Sequence, residues 1–376
     1  MNWMKLAAGL ADALEASGDL KTARLREAVS TTPRHNFVPR YFENSGGAPT
    51  VWVERTEADG EAWLNPIYTN STLVTELDSA ERVQAGWHGI PTSSSTQPSL
   101  TVRMLETLDI QPDDDVLDGG LGTGYQAALI LKILNETHQL VACDISGTTE
   151  ARERLNQQGY KAVVMPGDAT TLKFNRQFNK VIFSFGLPRI TPSILNAVAP
   201  GGKLLANVFG LMSGGLVLLE GKEDGTLEGR FQDDGGYFMP ARHENDAERP
   251  TADLTRMSEG MTDIPISAFD DPQFKFLLAA HLPGASLQYG TEEGQSMRRL
   301  VLPDGRWGEA LYSDEKGAQP LFRDKGDAVW ATVEQTWTWW TGNGRPRWNQ
   351  FGLTVTTDGT HRLWYLSPDG QSWTLS

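Results

Sequence analysis

Along the middle of the chain, short apolar runs stop repeatedly at an acid. Val116-Leu117 runs into Asp118, Leu140-Val141-Ala142-Cys143 into Asp144, and Ala162-Val163-Val164-Met165 towards Gly167-Asp168-Ala169. Runs of this length, bounded by turn residues, predict buried strands, whereas Tyr125–Leu134 has the apolar content and helix formers of a packed helix. Strand, turn, helix, strand is the unit of a doubly wound parallel sheet, whose ligands lie across the carboxyl ends of the strands. Lys180–Phe185, Lys203–Phe209 after a Pro200-Gly201-Gly202 turn, and Leu216–Glu220 extend the series to six or seven strands. The predicted fold class is α/β, with a smaller α+β domain at the C-terminal end.

The flanks are less regular. Met1–Val29 predicts one or two amphipathic helices broken at Ser17-Gly18-Asp19, followed by a proline-held connector, Thr32–Pro39. Thr50–Glu54 looks strand-like. Trp52, Trp63 and Tyr68 either wall a cleft or, more in keeping with their spacing, fill a core. In Thr92–Leu100 the hydroxyl residues compete for backbone partners, which predicts a loop capping a helix over Leu100–Leu108. Gly221–Gly235 is polar and glycine-rich and suggests a boundary, dividing the chain into 1–222 and 223–376. Asn245–Arg256 reads as charged loop. In the tail, Asp327–Trp340 puts Trp330, Val333, Trp337 and Trp340 on one helical face, and Gln350–Ser367 predicts a hairpin turning at Thr357-Asp358-Gly359. Tail tryptophans packed together make a small core; a share left exposed on a groove would make a peptide-docking surface.

Composition narrows the function classes. The chain has 376 residues, enough for two domains, and 39% hydrophobic content with 12 Trp supports sizeable cores. A net charge of −15 argues against a nucleic-acid binder, which needs a basic face. The single Cys143 excludes an internal disulfide, and the scattered His residues suggest no metal site. Met1–Ala16 carries Asp12 and Glu15 and is not a signal-peptide pattern; no apolar run suits a membrane span, so a cytoplasmic location is expected.

The candidate chemistry sits in Val116–Ile130. Gly120, Gly122 and Gly124 let the backbone turn tightly against a ligand, with G-x-G-x-G spacing in place of the dinucleotide G-x-G-x-x-G. Asp144 stands where a ribose-binding carboxylate belongs in such a unit. Asp118, Asp144 and Asp168 together would repel a pyrophosphate, but suit a ligand carrying sugar hydroxyls, an exocyclic amine and an ammonium group. S-adenosylmethionine is such a ligand. The expected cofactor-binding set is Asp118, Gly120, Gly122, Gly124, Tyr125, Asp144, Ile145, Gly167, Asp168 and Ala169.

These residues resemble a known family. VLDGGLGTGYQAAL (116–129) is similar to the glycine motif of the protein-L-isoaspartate O-methyltransferases. Thr32–Pro39 resembles their upstream Pro-Arg-His-x-Phe-Val-Pro segment, Thr96-Gln97-Pro98 their active-site Ser-Gln/Ala-Pro, and Phe178–Leu204 their later strand, helix and Pro-Gly-Gly turn. The resemblance spans about residues 20–220. Gly119 stands where the family usually has a larger apolar residue, and Leu121 where it has a small hydroxyl. What the resemblance implies is a Rossmann-like class I methyltransferase using S-adenosylmethionine, with Thr96 in the position of the active-site Ser and Ser94 and Ser95 as neighbours sharing its role. Gly236–Pro240 and the Trp-rich tail look like the branch that accompanies lanthipeptide, lasso-peptide or graspetide maturation. That branch implies a ribosomally made precursor peptide as partner, methylated on aspartate and closing to aspartimide. General isoaspartyl repair is the alternative, and a catalytically silent binding partner is a third reading.

Overall fold

The computed structural model describes residues 2–208, 212–241, 258–315, 318–325 and 328–375. The chain forms two compact units, one of residues 1–184 and 196–205, the other of residues 185–195 and 206–376.

The first unit opens with α1 (Trp3–Ala16), capped by the Asn2 side chain, and α2 (Ala23–Thr31), capped by Thr22. Both caps satisfy a backbone N–H at the helix start that has no partner within the helix. A short α3 (Arg34–Phe37) follows Pro33. Next come β1 (Arg40–Asn44), β2 (Trp52–Thr56), α4 (Glu61–Ile67), β3 (Leu73–Val83) and β4 (Gly86–Ser95), and the four strands close into a small barrel in the order β1-β2-β4-β3. Trp63 and Tyr68 are buried in a core cluster with Val38, Tyr41, Ile67 and Leu73, so these two rings are packing residues.

The central sheet starts after α5 (Pro98–Leu108), whose first turn is set by Pro98. Its elements are β5 (Val116–Gly119), α6 (Tyr125–Leu131), β6 (Leu140–Asp144), α7 (Thr148–Gln157), β7 (Val163–Pro166), β8 (Phe178–Leu187), α8 (Pro192–Ala197) and β9 (Val198–Val208). The order runs β9-β8-β5-β6-β7, with β5 parallel to both β6 and β8, and β6 parallel to β7. Counted from β5, the first four strands lie 3-2-1-4, the order of a doubly wound sheet. The centre is almost wholly apolar, because both faces are covered: Val116, Leu117, Leu140, Ala142, Val181 and Ile182 are all buried.

Three expectations need correction here. Thr92–Ser95 is not loop but the end of β4, where closure of the barrel supplies the backbone partners that the hydroxyls were expected to compete for. Pro200-Gly201-Gly202 lies inside β9, with Gly201 absorbing the kink at φ +72°. Gly221–Gly235 is a hairpin, in which β10 (Gly215–Gly221) pairs antiparallel with β11 (Leu227–Phe231).

In the second unit the antiparallel order β10-β11-β17-β18-β19 includes β17 (Phe351–Val355), β18 (His361–Tyr365) and β19 (Ser372–Leu375). The β17–β18 hairpin turns where the sequence places it. A second sheet, in the order β12-β16-β15-β14-β13, is built from β12 (Ser258–Met261), β13 (Ser286–Glu292), β14 (Gln295–Val301), β15 (Trp307–Tyr312) and β16 (Leu321–Asp324). The helices are α9 (Pro272–His281) and α10 (Val329–Gly342). Trp307, Trp330, Trp340, Trp348 and Trp364 are buried, while Trp337, Trp339 and Trp373 are half-buried. None of the tail tryptophans is fully exposed; they build core. Asn245–Arg256 lies outside the described residues, and among these no helix is long and apolar enough to cross a membrane.

His361 on β18 is buried, its Nε2 accepting from the Ile190 N–H and its Nδ1 donating to the Gly359 carbonyl, both at 2.9 Å. Accepting at Nε2 requires the neutral ring, and burial lowers its pKa against the opposing effect of the Gly359 bond. A depressed folded pKa contributes stability that is complete above the unfolded value, about 6.5, and is lost as the pH falls from there towards the folded value. Thermal unfolding of the wild type is therefore expected to drop more steeply below about pH 6.5 than that of His361→Gln. Parallel Tm–pH curves would show that His361 does not carry the effect.

Candidate active site

The site is built on the carboxyl ends of β5, β6 and β7. The glycine loop after β5 folds back on β6: Gly120 and Leu121 donate to the Cys143 carbonyl at 2.9 and 3.1 Å. Gly120, Gly122 and Gly124 take φ values of +89°, +51° and +90°, a region open to glycine at little steric cost. Asp144 closes the loop from the other side. Its Oδ2 accepts from Gly122 N–H at 2.8 Å and its Oδ1 from Ser146 N–H at 3.3 Å. Ile145, next to it, is 44% exposed, an apolar surface at the end of a buried strand.

Asp118 is fully buried. One oxygen accepts from the Gln126 amide at 2.8 Å, and the same amide nitrogen donates to Ser184 Oγ at 2.8 Å. The other oxygen, Oδ2, has no hydrogen-bond partner among the described residues. Burial pushes this carboxyl up to about 7, with Asp144 adding to the rise and Gln126 opposing it. A cation placed nearby would draw it back to the ionised form. Asp168 holds its own turn, accepting from the Thr170 N–H and hydroxyl at 2.8 and 2.7 Å, while Gly167 N–H donates to the Asp144 carbonyl at 2.8 Å.

Two further expected residues, Tyr125 and Ala169, sit differently from the loop. Tyr125 turns its ring into the core below Arg34, and Ala169 is buried with its methyl 3.4 Å from where a Cβ on Gly119 would lie. Cys143 is buried, and burial together with the three acids pushes its thiol up, far from a reactive thiolate.

The hydroxyl segment comes to this loop from β4. The Ser94 carbonyl lies 3.9 Å from the position a Cβ on Gly122 would take. Ser95 is buried, with its Oγ accepting from Arg34, whereas Thr96 is partly exposed and its Oγ1 has no hydrogen bond among the described residues. Sequence reasoning treated Arg34 as part of a connector. The structure buries it, with its guanidinium donating to the Ser95 hydroxyl and to the carbonyls of Ser95 and Thr96. The signal was its place in a Pro-Arg-His run, but nothing in spacing says that an arginine will be buried.

An orphaned acid oxygen, a loop of glycines and an exposed apolar residue beside an acid fit an adenosyl amino acid such as S-adenosylmethionine. Asp118, Gly120, Gly122, Asp144, Ile145 and Asp168 are the residues that would hold it.

Comparison with known proteins agrees. Residues 61–244 match the family model Protein-L-isoaspartate(D-aspartate) O-methyltransferase. The protein-L-isoaspartate O-methyltransferase of Methanopyrus kandleri is 25% identical over 246 residues, covering 64% of this chain and 93% of the relative. That of Aeropyrum pernix is 27% identical over 236 residues, 61% of this chain and 77% of its own. A solved protein-L-isoaspartate O-methyltransferase structure aligns over 94% of this chain and 98% of its own with a TM-score of 0.53; at 18% identity this shows the shared fold. Fold, glycine loop and relatives agree: the chain carries a class I, S-adenosylmethionine-dependent carboxyl methyltransferase domain, similar over residues 61–244 to the protein-L-isoaspartate O-methyltransferases.

Proposed function

We propose that this protein methylates the free α-carboxyl group of isoaspartyl residues, whose side-chain carbonyl carries the peptide bond, across many peptides and proteins, the first step of repair. The observation that carries the reading is the approach of the hydroxyl segment Ser94–Thr96 to the glycine loop at Gly122. When bound, S-adenosylmethionine supplies a methyl group on a sulfonium, whose sulfur leaves without needing a proton. The acceptor carboxylate, with a pKa of about 4, is already ionised at neutral pH, so the site requires no general base. What the chain must supply is orientation. Thr96 Oγ1, partly exposed and free to donate, is the group placed to orient that carboxylate, with Ser94 and Ser95 beside it. The neutral ester formed is a better electrophile than the carboxylate, and the following backbone amide nitrogen can close on its carbonyl to a succinimide, the amide proton and the methoxy group leaving as methanol.

The narrower reading is esterification of an aspartate in one ribosomally made peptide, with aspartimide as the product. It rests on the C-terminal extension and its tryptophans. Those rings are mostly core, and a solved isoaspartyl methyltransferase aligns over 94% of this chain, so an extension of this length does not mark a peptide-tailoring enzyme by itself. Breadth separates the two. Methyl transfer is expected to several isoaspartyl peptides of unrelated sequence and not to their aspartyl counterparts, followed by mass spectrometry of ester and succinimide. Turnover confined to the aspartate of a single peptide would overturn the repair reading.

A further inference from the structure

Arg34 is a fully buried cation whose hydrogen-bond partners among the described residues include no carboxylate. Pro33 starts α3, and the short helix turns Arg34 inward while His35 Nδ1 meets the Tyr68 hydroxyl at 2.6 Å. Its Nη1 donates to the carbonyls of Ile67 at 2.8 Å and Thr69 at 3.4 Å. Its Nη2 reaches the Ser71, Ser95 and Thr96 carbonyls at 3.3, 3.4 and 3.1 Å, and the Ser95 hydroxyl at 3.0 Å. Nε adds a second donation to Ser95 Oγ at 3.3 Å. The guanidinium carbon lies 5.5 Å from the centre of the Tyr125 ring, the first residue after the glycine loop.

One side chain thus ties together the turn 67–71, the end of β4 and the foot of the glycine loop. Burial lowers its pKa to about 10, which leaves it charged at neutral pH. Removing a guanidinium from water is costly, and an apolar residue would fill the same space without that cost. The bonds have a particular consequence. Ser95 Oγ is held as an acceptor, and the Thr96 carbonyl is fixed, but Thr96 Oγ1 is left without a partner among the described residues. The backbone of Thr96 is locked and its hydroxyl is open.

We infer that Arg34 is a positioning residue for methyl transfer, fixing Ser95 and the Thr96 carbonyl against the glycine loop so that Thr96 Oγ1 meets the acceptor carboxylate already oriented. The inference rests on the acceptor reading proposed above. Arg34 uses its donors on the protein and does not itself clamp the nucleophile, which a tight ion pair would hold back.

The test is a mutant cycle on the full chain with an isoaspartyl peptide. Arg34→Lys keeps the charge and loses the fork. It is expected to lower kcat by about ten- to a hundredfold with a smaller change in KM, and to shift the S-adenosylhomocysteine Kd by less than about threefold. Thr96→Ala should slow the wild type by about tenfold but the Arg34→Lys background by less than about twofold, because a hydroxyl already misplaced has little left to lose. Equal factors for Thr96→Ala in both backgrounds, or an unchanged kcat in Arg34→Lys, would overturn the inference. Ser95→Ala removes one partner of the guanidinium while leaving the cation, and serves the same cycle if Arg34→Lys fails to unfold cooperatively. A wild type inactive on isoaspartyl peptides would sink the acceptor reading, and hydrogen exchange then decides the role of Arg34 separately. Segments 67–73 and 93–100 must exchange faster in the variant than β5 to β7; a uniform change, or none, counts against it.

Discussion

Asp144→Ala is expected to weaken S-adenosylhomocysteine binding by about one to two decades, the loss of roughly 1.5–3 kcal/mol of charge-assisted hydrogen bonding. Position alone suggests a ribose contact. The structure adds that Asp144 also anchors the loop, through Gly122 N–H at 2.8 Å and Ser146 N–H at 3.3 Å. Truncation therefore removes ligand acceptors and loosens the turn that carries the remaining ones. Asp144→Asn keeps one acceptor oxygen and should fall between wild type and Ala. Calorimetric titration reads both variants. An affinity unchanged in Asp144→Ala would take this residue out of the cofactor site.

Gly119→Leu is expected to destabilise the protein by about 1–3 kcal/mol, and at the upper end of that range. A Cβ added at Gly119 would sit 2.4 and 2.5 Å from two ring atoms of Phe183, on the neighbouring strand and in register with it. Phe183 is fully buried, so its ring has nowhere to move. The missing side chain at Gly119 is thus matched by a phenyl ring that fills the space from β8. Phe183→Ala alone should cost about 3–5 kcal/mol through the cavity it leaves. Combining the two substitutions should recover part of the loss, because each relieves the defect made by the other. Denaturant unfolding of both singles and the double measures this coupling. Strictly additive losses would refute the match.

The central sheet was legible from sequence because its signals are local. An apolar run, an acid, glycines at turns and a helix-length segment each follow from the chemistry of a few consecutive residues, and parallel strands buried on both faces need no alternation to be recognised. The β17–β18 hairpin was legible for the same reason, since Asp358-Gly359 marks its turn. The barrel was not. Thr92-Ser93-Ser94-Ser95 has poor strand character by itself and becomes a strand through partners supplied by β3, at a distance in the chain that periodicity does not reach. Gly221–Gly235 misled in the same way, because a polar turn between two strands and a linker between two domains have the same composition.

The candidate site divides along the same line. The loop glycines and the three acids were set by sequence, since each stands at the end of its own strand and the strand order of a doubly wound sheet brings those ends together. Tertiary structure alone decided which acid is buried with an orphaned oxygen, that Phe183 fills the space at Gly119, and that the tail tryptophans are mostly core. It also decided the place of Arg34. Whether a charged side chain points to water or inward depends on how many carbonyls converge on it, here from residues 67–71 and 95–96. That convergence is a property of the folded chain, and no stretch of its sequence contains it.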